Sequence, residues 1–228
     1  MKILITSGGT TEKIDQVRGI TNHSTGRLGK QIAERFLAAQ HQVTLVTTAS
    51  AVKPPKQEGL STVEISTVAD LIETLEPLVK THDVLIHSMA VSDYTPVYMT
   101  DFEEVEDADN LAQFLTKENT QTKISSQADY QVLFLKKTPK VISLVKQWNP
   151  AIKLIGFKLL VDVDKKKLFQ VARTSLNSNQ MDYVLANDLS HISADHHLAY
   201  LLDNTNAYKA RTKAEIADLI FEKVTDHD

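Results

Sequence analysis

The 228-residue chain contains no cysteine, which excludes a disulfide framework and any thiolate-held metal site. No apolar run approaches about 18 residues, the length a membrane-spanning helix needs. The opening MKILIT reads as a strand and lacks the architecture of a signal peptide. Strong charge is missing too: a net −4 gives no field to gather nucleic acid or an anionic membrane. These absences lead to the expectation of a cytoplasmic protein with neither nucleic acid nor membrane as partner. Two phosphate-binding signatures are also absent. Gly8-Gly9, followed by threonines, is not the G-x-G-x-x-G of dinucleotide folds. Nor is there a P-loop: Gln31 follows Gly29-Lys30, and Ser24 stands where the first glycine should be.

What is present is an ordinary globular composition, 42% hydrophobic and 24% charged, which suits one domain over residues 1–228. Residues 2–6 (KILIT), 42–48 and 62–66 read as strands, as does 83–90 (DVLIHSMA). Helical stripes separate them: Leu28, Ile32, Phe36 and Leu37 within 25–39, then Val68, Leu71, Ile72, Leu75 and Val79. This alternation predicts an α/β fold, a Rossmann-like parallel sheet flanked by helices. The acidic stretch 98–122 is expected to form a flexible, lid-like excursion carrying a short helix. Residues 131–137 resume as strand, and Thr138-Pro139 is expected to open a helix with proline at its first position. A strand over 152–162, a helix from Lys165 to Asn177 and a strand over 183–188 follow. The pattern ends in a C-terminal β-hairpin around Asn204–Asn206 and a closing helix from Lys213.

Ligands of such sheets bind beyond the carboxyl ends of the strands, which directs attention to two segments. In the first, hydroxyls at Thr6, Ser7, Thr10 and Thr11 surround Gly8 and Gly9, where backbone amides are unhindered. Asn22, Ser24, Thr25 and Gly26 then precede a helix start, as N-cap candidates beside an anion-attracting terminus. In the second, Asp93 follows a strand directly and is either a turn aspartate or a partner for ribose or metal. Lys123, in QTKISS, matters only if its segment closes over a phosphate. His191, His196 and His197 lack metal-site spacing and read as a polar loop, while Trp148 reads as packing at a helix end. From the residues alone, the chain is an α/β protein binding a phosphorylated ligand.

The stretch ITSGGTTEKIDQVRGITNHSTGRLG, together with MAVSDYTP, resembles the phosphopantothenate–cysteine ligases, the phosphopantothenoylcysteine synthetases of coenzyme A biosynthesis. TKIS, KTPK, GFKLLVD and LAND continue the resemblance in order across the whole chain. It implies a ligase that activates 4'-phosphopantothenate as an acyl-nucleotide and then transfers the acyl group to the amine of L-cysteine. The nucleotide would be CTP or ATP, CTP being favoured, with Mg2+ on the triphosphate. It implies catalytic roles for Asn22, which would handle the acyl-nucleotide and phosphopantothenate, and for Lys123, which would balance phosphate charge. Nucleotide contacts would fall on Gly8, Gly9, His87, Ser88, Met89, Asp93, Lys123, Thr138, Pro139, Lys140, Val141 and Phe157. Phosphopantothenate would meet Asn22, Ala90 and Arg18. The resemblance further implies a homodimer whose site is completed across the interface.

Two departures stand out. Ser175 and Asn179 fall near places where bifunctional members carry basic residues for the triphosphate, so Lys165, Lys166, Lys167 or Arg173 are possible substitutes. A chain of 228 residues also has no room for the flavin-dependent decarboxylase of the bifunctional proteins, so a stand-alone bacterial-type ligase without flavin is expected. Two rivals share the fold. A nicotinamide-dependent reductase would need the missing glycine fingerprint or a Tyr-x-x-x-Lys pair, also missing. A non-catalytic nucleotide-binding module would have no need of Asn22 and Lys123 within their motifs.

Overall fold

The computed structural model describes residues 1–193 and 195–226. The first half comprises β1 (Lys2–Ser7), a small hairpin of β2 (Thr11–Lys13) and β3 (Gly19–Thr21), and α1 (Arg27–Ala38). It continues through β4 (Gln42–Thr47), β5 (Leu60–Glu64), α2 (Val68–Val79) and β6 (Val84–His87). An arm follows: β7 (Tyr94–Asp101), α3 (Phe102–Glu106), a 3-10 turn at Leu111–Thr116 and β8 (Gln131–Lys137). The second half holds α4 (Val141–Trp148), β9 (Lys153–Leu160), α5 (Lys165–Ser178) and β10 (Tyr183–Ile192). The chain then forms β11 (His197–Leu202), β12 (Ala207–Ala210) and α6 (Lys213–Thr225).

The main sheet runs β12-β11-β10-β9-β6-β1-β4-β5. Its six strands from β5 to β10 are parallel, and the C-terminal hairpin extends the edge antiparallel. Strands covered on both faces read as continuous apolar runs, which is why KILIT and VLIH look alike in sequence. Leu4, Leu85 and Leu154 pack with Leu71 and Leu75 of α2, Val145 of α4 and Leu168 of α5. Ile3, Ile5 and Ile86 face the other way, onto Ile32 and Phe36 of α1 and Ile216 and Ile220 of α6. Burying each such side chain contributes roughly 1.5–3 kcal/mol before chain entropy is counted. The parallel order reverses direction at β1, the switch point beyond whose carboxyl end ligands of doubly wound sheets bind.

Three expectations need correction. Residues 98–101 are strand rather than loop, because β7 pairs antiparallel with β8 in a separate two-stranded sheet. Pro139 does not open a helix: α4 begins at Val141. The Thr138 amide and hydroxyl donate to Asp93 O (2.9 Å) and Ser92 O (2.6 Å), which holds that segment extended. At α1 the N-cap is Gly26, one of the expected candidates, at φ 74, and Thr25 Oγ1 accepts from Arg27 N at 3.5 Å. His191 and His197 lie in strands rather than a polar loop, and His197 is buried against Asn187, 2.9 Å away. Trp148 does end α4, packed partly buried against the core.

Candidate functional site

Beyond the sheet, the chains leaving β1 and β6 stay side by side. Gly9 and Ala90 form a parallel bridge, flanked by bonds from Ala90 N to Gly8 O (2.9 Å) and Thr10 N to Ala90 O (3.1 Å). Ser92 N donates to Thr10 Oγ1 at 2.8 Å. Asn22, just after β3, crosses this seam: its amide nitrogen donates to Val91 O at 3.0 Å and its backbone N–H to Thr10 O at 3.3 Å. Gly9 permits the crossing, since a Cβ there would stand 2.0 Å from Asn22 O. With one N–H committed to Val91, Asn22 retains a second N–H and its carbonyl oxygen for a ligand.

Beside the seam lies a cavity of about 260 Å³, lined by His87, Met89, Asp93, Thr138, Pro139, Lys140, Val141 and Phe157 among others. These eight are residues for which nucleotide contact is expected. Val91, Ser92, Lys158 and Ser175 also line it. His87 is buried with Nδ1 2.7 Å from Thr6 Oγ1, and burial pushes its imidazole down to about 4, so it stays neutral near pH 7. Ser88 turns away, its hydroxyl donating to Thr6 O at 2.7 Å. An adjoining groove of about 320 Å³ shares Lys140, Lys158 and Ser175 with the cavity and adds Lys167. Among the described residues none of these three ammonium groups has an acidic partner. Of the other expected substitutes, Lys165 and Lys166 are absent from the groove lining, and Arg173 donates to Thr205 O (3.2 Å).

Lys123 is exposed and does not line the cavity. Its segment is fastened to the β2–β3 hairpin. Gln16 N donates to Thr122 O (3.1 Å), Ile124 N to Asp15 Oδ2 (3.2 Å) and Arg18 Nη2 to Ile124 O (2.9 Å). Arg18, expected to meet substrate, is bonded to Asp15 through Nε (3.0 Å) and Nη2 (2.7 Å). That guanidinium, with help from backbone amides, holds the Asp15 carboxyl well below the usual carboxylate range. Among the described residues no cluster of three His, Cys, Asp or Glu forms a ready metal cage. Magnesium carried on a triphosphate needs only one or two protein carboxylates, and exposed Asp93 at the cavity can supply one.

A family model for the DNA/pantothenate metabolism flavoprotein C-terminal domain matches residues 1–104 and 106–227. The chain belongs to this family. A crystal structure of the DNA/pantothenate metabolism flavoprotein from Streptococcus pneumoniae superposes with a TM-score of 0.95, at 57% identity over 98% of each chain. The coenzyme A biosynthesis bifunctional protein CoaBC of Thermococcus kodakarensis is 31% identical over 227 residues, 98% of this chain but 50% of its own length. The chain thus spans about half the length of curated relatives such as this one. A Cab2 mutant in complex with phosphopantothenate-cysteine shares the fold, with TM-score 0.73 at 19% identity over 98% of this chain and 84% of that one.

Within this family member, the structure gathers Asn22, Gly8, Gly9 and Ala90 at the seam and the eight lining residues around the cavity, and leaves Lys123 and Arg18 on the hairpin side. Sequence reasoning passed over Lys158 and Asp15 as site residues. Alternation along GFKLL would put Lys158 on the face opposite Phe157, so it gave no signal, whereas Asp15 could have been found by its i, i+3 spacing to Arg18. Ser175, aligned with a triphosphate-contact position, does line the cavity, brought there by α5.

Proposed function

We propose that the chain is a phosphopantothenate–cysteine ligase of coenzyme A biosynthesis, using CTP. One observation carries the reading: eight residues expected to hold nucleotide line one cavity, beside the seam crossed by Asn22. In the first step a carboxylate oxygen of 4'-phosphopantothenate attacks the α-phosphorus of Mg–CTP. The bond to the β-phosphate breaks and pyrophosphate leaves. In the second, the cysteine amine attacks the acyl carbon, the C–O bond to the nucleotide breaks, and CMP leaves as the nitrogen loses its proton. Neither step changes an oxidation state, so the proposed reaction takes no flavin.

The unpaired Lys140, Lys158 and Lys167 would meet triphosphate charge where Ser175 and Asn179 cannot. Lys123 would neutralise phosphate charge during activation. Asn22, with its free N–H and carbonyl oxygen, would steady the oxyanion and accept from the incoming amine. We also propose a homodimer. The arm exposes Tyr94, Phe102, Tyr130 and Leu135, an apolar set that a second copy would cover. Asn22→Asp tests the ligase reading. With phosphopantothenate, Mg–CTP and cysteine, the variant should accumulate acyl-cytidylate detectable by mass spectrometry, while product formation falls at least a hundredfold. Normal product formation would remove Asn22 from the second step.

A further inference from the structure

The side chain of Asp15 is wholly buried, although it sits in the turn of a short surface hairpin. Its carboxylate is shared between two tasks. Oδ1 accepts from Val17 N (2.8 Å) and Arg18 N (2.7 Å), which closes the turn. Oδ2 accepts from the Arg18 guanidinium and from Ile124 N, 3.2 Å away, more than a hundred residues along the chain. Arg18 Nη2 in turn donates to Ile124 O at 2.9 Å, so both backbone groups of Ile124 are held by one ion pair.

The consequence falls on the residue before. The peptide unit between Lys123 and Ile124 is fixed by Asp15, and the unit between Thr122 and Lys123 by Gln16 N on Thr122 O (3.1 Å). A peptide is planar, so holding the two planes on either side of a Cα fixes that residue's φ and ψ. Lys123 itself has no partner among the described residues, and its exposed side chain stands on a backbone gripped from both sides. The same hairpin ends in Thr21 and delivers Asn22 to the seam.

We propose that Asp15 is a positioning residue for activation: through Arg18 and Ile124 it fixes the backbone from which Lys123 reaches the phosphates. The proposal rests on the ligase reading, in which Lys123 serves the first step. Misplacing a charged group by about 1 Å is enough to cost on the order of a hundredfold in rate.

Asp15→Asn removes the charge, and Asp15→Ser keeps a hydroxyl that can still close the turn, guarding against simple unfolding. Both should slow pyrophosphate release from phosphopantothenate and Mg–CTP by ten- to a hundredfold, with CTP affinity changed by less than about threefold. Exchange of the Ile124 amide should quicken in both. The Asp15→Asn/Lys123→Gln double variant should be no slower than Lys123→Gln alone, since a residue acting through Lys123 has nothing left to position. Multiplying effects in the double variant, an unchanged rate or an equally protected Ile124 amide would overturn the proposal. Should the unaltered protein release no pyrophosphate, the ligase reading falls. The Ile124 amide then decides alone whether Asp15 holds the segment.

Discussion

Burial keeps the His87 imidazole neutral, its pKa pushed down to about 4 from 6.5, and His197 is pushed equally low by burial and by Lys213. The unfolded chain takes up a proton at each site once the pH falls below about 6.5, whereas the folded chain resists until about 4. Stability is therefore fully present above pH 6.5 and declines towards pH 4. For fully buried His87 that loss is on the order of 3 kcal/mol. His87→Gln should flatten the acid limb: between pH 7 and 4.5 its urea midpoint should fall distinctly less than that of the unaltered protein. Equal falls would show that His87 takes a proton readily in the fold. The Thr6–His87 contact was hidden in the sequence because it joins strands 81 residues apart. Asn22 was visible through its motif, but its bond to Val91 was not, since that depends on how two loops leave neighbouring strands.

At the scale of elements, most strands and helices of the main sheet were legible because they bury a continuous run or a clear stripe, the edge strand Leu60–Glu64 excepted. The arm was not. β7 contains Pro96 and acidic neighbours, so it read as loop; the structure accommodates the proline at a register shift between Pro96 and Tyr98. β8 was visible as a strand, but alternation does not name a partner. At the rim, α1 approaches β1 closely. A Cβ on Gly29 would stand 2.3 Å from Ser7 Oγ and 2.5 Å from Ser7 Cβ. Gly29→Ala should force the helix away, costing about 1–3 kcal/mol by chemical denaturation. CTP affinity should weaken with it, because Ser88 Oγ lies 3.2 Å from the same point and leads into the cavity segment. Unchanged stability and affinity would mean that the rim tolerates a wider α1–β1 spacing.

For the molecule as a whole, alternation of strand and helix was enough to foresee a parallel sheet, but not its order. That β1 lies at the centre, with β4 on one side and β6 on the other, emerges only from long-range pairing. This ordering brings Gly9 to Ala90 and makes one site of two motifs about 80 residues apart. Among the described residues no helix is long and apolar enough to cross a membrane. The proposed homodimer should sediment at twice the chain mass, and Tyr94→Asp with Leu135→Asp should shift it towards monomer. A monomer at assay concentration would leave the exposed arm without the partner suggested for it. The central claim is tested most directly by pyrophosphate release from the purified protein with Mg2+, cysteine and either CTP or ATP, with and without phosphopantothenate. The ligase account predicts release that requires phosphopantothenate and is faster with CTP. Faster release with ATP would reverse the nucleotide assignment alone; no phosphopantothenate-dependent release with either would contradict the account.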